Sequence, residues 1–129
     1  MIKTTTPRLS RSKNEIVEFY DRLKKIYLMD EPVTCSRRES KRIRVTVPIC
    51  ISTMDEDGTI YHQQAISRDV SRHGIGMVCP NPIGREYALL TIQPTVGPVF
   101  DVLARVVHSK EVGYYYHVGL EFMTHGESQ

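Results

Sequence analysis

The chain has 129 residues, 40% of them hydrophobic and 25% charged, with a formal net charge of +2. That balance fits one soluble globular domain with an appendage, and it removes any compositional demand for a bulk polyanion such as DNA. No apolar run approaches the ~20 residues a membrane-spanning helix needs.

Residues 1–11 are polar and basic and read as a loose tail. From Ser12 to Met29 the apolar residues Ile16, Phe19, Tyr20, Leu23, Ile26 and Tyr27 fall on one stripe at helical spacing. Ser12 supplies an N-cap, and Glu15 three residues later completes a capping box. Pro32 follows soon after, so the helix ends before it. The stripe either packs on the domain itself or binds a partner protein or a second copy of the chain.

Residues 30–41 read as a linker that ends in a cationic cluster. Between Arg37 and Arg44, five cations (Arg37, Arg38, Lys41, Arg42, Arg44) stand against one carboxylate (Glu39), a local charge of +4. Strict alternation then begins, with Ile43, Val45, Val47, Ile49 and Ile51 facing one way, the pattern of a half-buried strand. Pro48 cannot donate to a ladder and predicts an edge or a bulge. Asp55-Glu56-Asp57-Gly58 predicts a hairpin turn rather than a calcium loop, because the loop's terminal glutamate is absent.

Further strands are predicted over 59–66, 75–79, 86–93 and 99–108, and a sixth from Gly113 through Phe122. Asp69-Val70-Ser71-Arg72-His73-Gly74 is predicted as a turn. Alternation places Tyr114 and Tyr116 inward with Val118 and Leu120. Six short strands without helical period among them predict an all-β core, an antiparallel barrel or sandwich. The chain thus divides into a tail, helix and linker over 1–35, a β domain over 36–124, and a short polar tail over 125–129.

Cys35, Cys50 and Cys79 lack CxxC spacing and leave an odd number, which argues against a disulfide framework or a zinc site. Free thiols and a polar N-terminus point to a cytoplasmic protein. The histidines show no metal-protease spacing, and no nucleophile stands in a recognisable elbow, so no enzymatic activity is expected.

The chemistry lies in two stretches. Arginine grips phosphate bidentately, stacks on bases and pairs with the O6 and N7 edge of guanine. Arg38 and Arg42, four residues apart, can converge on one ligand. Asp69 is complementary, since a carboxylate accepts from guanine's N1–H and amino group. Ser71 can donate to phosphate or cap the turn, and Gly74 permits a close approach that a Cβ forbids. Together these groups suit a guanine nucleotide.

Arg38-x-x-x-Arg42 leading into an alternating strand, with Asp69-x-Ser71-x-x-Gly74 one hairpin later, resembles the PilZ domain. Arg105-Val106-Val107 and Val118-Gly119-Leu120-Glu121-Phe122 resemble that family's last two strands, so the likeness runs from about Arg37 to Met123. The resemblance implies a six-stranded antiparallel PilZ-type barrel, preceded here by the amphipathic helix, acting as a bacterial receptor for the second messenger cyclic di-GMP. It also implies that Arg38 and Arg42 clamp the ligand over a platform of Asp69, Ser71 and Gly74. Arg37, directly before the motif, implies a stacked pair of ligands. Binding would order the arginine-rich segment and reset the helix before it, relaying the signal to a partner. The competing expectations are a protein-interaction barrel, or one binding single-stranded nucleic acid through its tyrosines, with a vestigial nucleotide site.

Overall fold

The computed structural model describes residues 11–27 and 42–124. One helix, α1 (Lys13–Tyr27), precedes β1 (Pro48–Met54), β2 (Ile60–Val70), β3 (Gly74–Cys79), β4 (Tyr87–Ile92), β5 (Phe100–Val112) and β6 (Tyr115–Phe122). All neighbours pair antiparallel in the closed order β1-β2-β3-β6-β5-β4, with β4 returning to β1. This is the expected six-stranded barrel with a preceding helix. Closure leaves every strand with a neighbour on both sides for at least part of its length.

The alternation from Ile43 sets the first wall. Ile43, Val45, Val47, Ile49 and Ile51 are all buried inside the barrel. The ladder itself begins later than expected, at Pro48, which takes the first strand position rather than an edge or bulge. Residues 43–47 instead run extended beside the end of β2. Ile43 and Val70 exchange backbone hydrogen bonds of 2.8 and 2.9 Å. Ser67 Oγ accepts from the Val47 amide at 2.9 Å and donates to the Val45 carbonyl, so no buried polar atom there is orphaned. The next turn forms as predicted: Gly58 takes φ +89°, and Asp55 accepts from the Asp57 and Thr59 amides at 3.1 and 3.0 Å.

Two strands run longer than their local patterns suggest. β2 continues past Ile66 to Val70, which moves Asp69 from the expected turn into a strand. β5 continues past His108 to Val112, and β6 starts at Tyr115. Tyr114 therefore stands in the connecting turn and is 93% exposed, against the expectation that it is buried. β4 pairs with β5 only as far as Arg105, so the far end of the β5–β6 hairpin has no opposing wall to bury it. Tyr116 is half-buried against the core and Tyr115 is exposed.

The capping box forms at the start of α1. Glu15 accepts from the Ser12 amide at 2.8 Å, and Ser12 Oγ accepts from the Glu15 amide at 3.1 Å. The Ser12 amide, seconded by Arg11, holds the Glu15 carboxyl below its ordinary range. Ile16, Phe19, Tyr20 and Leu23 join the same core as the barrel interior. Phe19 stacks on Phe100 at 4.1 Å, with Arg11 4.9 Å from the Phe100 ring centroid. The Tyr27 hydroxyl donates to Thr95 Oγ1 and accepts from its amide, at 2.8 and 2.7 Å.

The helix thus plugs the barrel end formed by the β2–β3 turn and the β4–β5 loop. Of the two expectations for its stripe, packing in cis is the arrangement formed, and any partner must use the helix's outer face. The last expected helical residues, 28 and 29, lie outside the described residues. None of the described helices is long and apolar enough to cross a membrane.

Phe19→Ala removes a fully buried ring and should lower stability by about 3–5 kcal/mol in urea denaturation; a loss below about 1 kcal/mol would mean that the helix is not docked. Burial also pushes the Cys79 thiol up to about 11, while Cys50 is only half-buried. A thiol reagent at pH 8 should therefore label Cys50 in the native protein and Cys79 only after unfolding, as read by peptide mapping.

Candidate functional site

The site is built where β2 departs from regular pairing. Ser67 stands opposite Met77, but the next pair is Asp69 with Gly76, followed by Val70 with Ile75. Arg68 is the extra residue of a β-bulge. Ser67 and Val70 therefore face the core, while Arg68 and Asp69 emerge side by side on the outer surface. The chain then turns at Ser71, whose buried Oγ accepts from the His73 and Gly74 amides at 3.1 and 3.2 Å. Gly74 lies tight against β6: a Cβ there would stand 2.1 Å from the Leu120 carbonyl oxygen.

Outward from this turn the wall has almost no side chains. Gly76 pairs with Gly119 across β3 and β6. A Cβ on Gly76 would stand 2.9 Å from Asp69 Oδ1 and 3.3 Å from Arg68 Nη2. On Gly119 it would stand 2.5 Å from His108 Nε2, because that imidazole lies over the strand. Two glycines thus form a shallow floor on which a carboxylate, a guanidinium and an imidazole rest directly.

Asp69 is doubly engaged. Arg42 Nη1 approaches its Oδ1 at 2.6 Å, and Arg68 Nε approaches its Oδ2 at 3.4 Å. Arg68 Nη1 also donates to His117 Nδ1 at 2.7 Å. Arginine has no acceptor, so this contact requires His117 to carry its proton on Nε2. Further along the same face Arg105 pairs with Glu121 at 2.7 Å, and that hydrogen bond raises the Arg105 pKa further. Arg72, inside the turn, points the other way: its guanidinium lies 5.6 Å from the Tyr20 ring centroid and 4.0 Å from the Asp21 carboxylate of α1.

Of the sequence-predicted site residues, Arg42, Asp69, Ser71 and Gly74 gather at this end of the barrel, whereas Arg37 and Arg38 lie outside the described residues. Sequence reasoning missed Arg68, Gly76, Gly119, His108 and His117. The glycines were visible in the sequence, but that they face each other follows only from register. A cleft of about 280 Å³, lined among others by Tyr61, His62, Asn81 and Arg85, sits at the opposite end and contains none of the predicted residues. Ser52 Oγ and His62 Nδ1 are 2.9 Å apart on the β1–β2 surface, yet among the described residues no carboxylate orients that imidazole as a nucleophile–base pair requires. Among the described residues no group of three or more His, Cys, Asp or Glu could hold a metal ion.

The two motifs meet on a closed six-stranded barrel, and the family model for the PilZ domain matches residues 36–129. The chain belongs to the PilZ family. Three solved structures share its fold at low identity. The Bacillus subtilis inhibitor of motility MotI/DgrA aligns with a TM-score of 0.51 at 18% identity, over 68% of this chain and 43% of that one. MrkH of K. pneumonia, solved as a complex with c-di-GMP, aligns with a TM-score of 0.51 at 15% identity, over 72% and 46%. The PilZ domain of YcgR from Escherichia coli, solved with c-di-GMP, aligns with a TM-score of 0.50 at 15% identity, over 67% and 78%. The PilZ chain described here spans less than half the length of MotI/DgrA and MrkH. No curated protein matches it.

The two glycine contacts separate a packing role from a surface one. Gly74→Ala meets backbone and should destabilise the barrel by about 1–3 kcal/mol. Gly76→Ala meets mainly the ends of side chains that can swing away, and should lower the melting temperature less. Equal losses in thermal melts would show that Gly76 is not part of an adaptable outer surface.

Proposed function

We propose that this PilZ protein is a non-catalytic cytoplasmic receptor for cyclic di-GMP. The observation that carries the proposal is the 2.6 Å contact between Arg42 and Asp69, which joins residues of the two sequence motifs over the glycine floor. A guanine laid on that floor presents N1–H and its amino group to the Asp69 carboxylate. Displaced from Asp69, Arg42 is free to engage a phosphate or the guanine O6 and N7 edge, with Arg38 and Arg37 beside it in sequence. Ser71 and Gly74 shape the turn from which Asp69 is held. The c-di-GMP-bound structures of MrkH and the YcgR PilZ domain, which share this fold, support the ligand assignment.

Arg37 supports a stacked pair of ligands, because a second bisphosphate adds charge that a further guanidinium can offset and a base on which it can stack. The relay to a partner runs through the same end of the barrel. Ligand seated by Asp69 and Ser71 lies next to Arg72, and Arg72 touches Tyr20 and Asp21 on α1. Ordering of the arginine-rich segment before Arg42 would then change the surface that the helix's outer face offers a protein partner. A single-stranded nucleic-acid reading is weaker. The exposed Tyr114 and Tyr115 sit at the opposite end of the barrel from Arg42 and Asp69, so these stacking groups do not coincide with the motif arginine.

Titration calorimetry with cyclic di-GMP should saturate near two ligands per chain. Arg42→Ala and Asp69→Ala should each weaken binding by roughly ten- to a hundredfold, the ~1.5–3 kcal/mol of a charged hydrogen bond. Saturation at one ligand would remove the stacked pair, and absence of binding by the intact chain would overturn the receptor.

A further inference from the structure

We propose that Arg68, which lies in neither motif, is a ligand-contacting residue that the free protein stores on His117 and delivers to the ligand on binding. The proposal rests on the receptor reading of the same site. A carboxylate that receives the guanine edge uses both oxygens, one for N1–H and one for the amino group. In this structure Arg68 stands at Oδ2 of Asp69, 3.4 Å away, and its Nη2 lies 3.3 Å from the point above Gly76 where a Cβ would be. The guanidinium therefore covers part of the floor on which a base would lie. A base entering there displaces Arg68 from both Asp69 and the floor.

The displaced group has an obvious destination. Arg68 is 44% exposed on its side chain and projects from a bulge, so its stem is free to swing without disturbing the core. Freed of Asp69, it is a planar cation beside a bisphosphate anion and a flat base. Bidentate pairing with phosphate and stacking on the base are the two contacts guanidinium makes best. The contact it gives up with His117 is a single hydrogen bond to an acceptor without negative charge, weaker than a bidentate pair with an anionic phosphate.

Storage on His117 sets how readily Arg68 leaves. The 2.7 Å contact uses His117 Nδ1 as its acceptor. Removing that acceptor takes away one of the two contacts that hold Arg68 in place and leaves it freer to meet the anionic ligand.

Calorimetry of the full chain with cyclic di-GMP tests this directly. Arg68→Ala should weaken binding by about tenfold, and Arg68→Lys, which keeps the charge but loses the fork, should recover part of that. His117→Ala should tighten binding, whereas His62→Ala, at the opposite end of the barrel, should leave the affinity unchanged. If the intact chain binds and Arg68→Ala binds equally well, Arg68 is surface and the inference falls while the receptor stands. If His117→Ala leaves the affinity where it was, the storage role falls. If the intact chain binds no cyclic di-GMP, both readings fall together.

Discussion

Side chains alternate across a barrel wall, so two consecutive residues reach the same face only where the ladder takes in an extra one. In β2 that extra residue is Arg68, and most of the site's chemistry depends on it. Without the bulge, Arg68 or Asp69 would point into a core containing Met77, Val118 and Leu120, where an unpaired charge is strongly destabilising. With it, Ser67 turns inward to serve the backbone of Val45 and Val47, and Asp69 lies outward on Gly76. The same residue therefore reconciles a satisfied interior with a charged platform.

The platform also depends on how the barrel end is closed. A small barrel is filled by its own side chains, and its mouths must be covered or left polar. Here α1 covers one mouth with Ile16, Phe19, Tyr20 and Leu23, next to the turn that carries Ser71. Arg72 links the two, since it leaves that turn to lie by Tyr20 and Asp21. Burial raises the Tyr20 phenol above its ordinary pKa, and the Arg72 charge opposes that shift. The docked helix and the candidate site consequently share one end of the barrel. Among the described residues the opposite end carries no helix and shows exposed Met54, Ile60, Tyr114 and Tyr115.

Asp69 is satisfied within the protein itself. Two arginines hold its oxygens, so the ligand proposed for this site would exchange with existing partners and not fill a void. The platform is a shallow surface, and a cleft of about 280 Å³ lies at the opposite end of the barrel. Exchange also keeps the net gain small relative to the gross interactions, because every new bond to Asp69 replaces an existing one.

Much of this was legible from local pattern. Period-two alternation picked out Ile43 to Ile51 as inward-facing, the Ser12–Glu15 spacing marked the helix start, Asp55 to Gly58 marked a turn, and the two motifs named Arg42, Asp69, Ser71 and Gly74. Each of these is decided within a few residues by backbone preference or side-chain reach. The extent of β2 and β5, the exposure of Tyr114, and the docking of the helix stripe in cis were decided by what lay opposite in the closed ladder. So were the bulge at Arg68, the facing glycines 76 and 119, and the hold of His117 on Arg68, since register belongs to pairs of strands and not to either strand's own sequence.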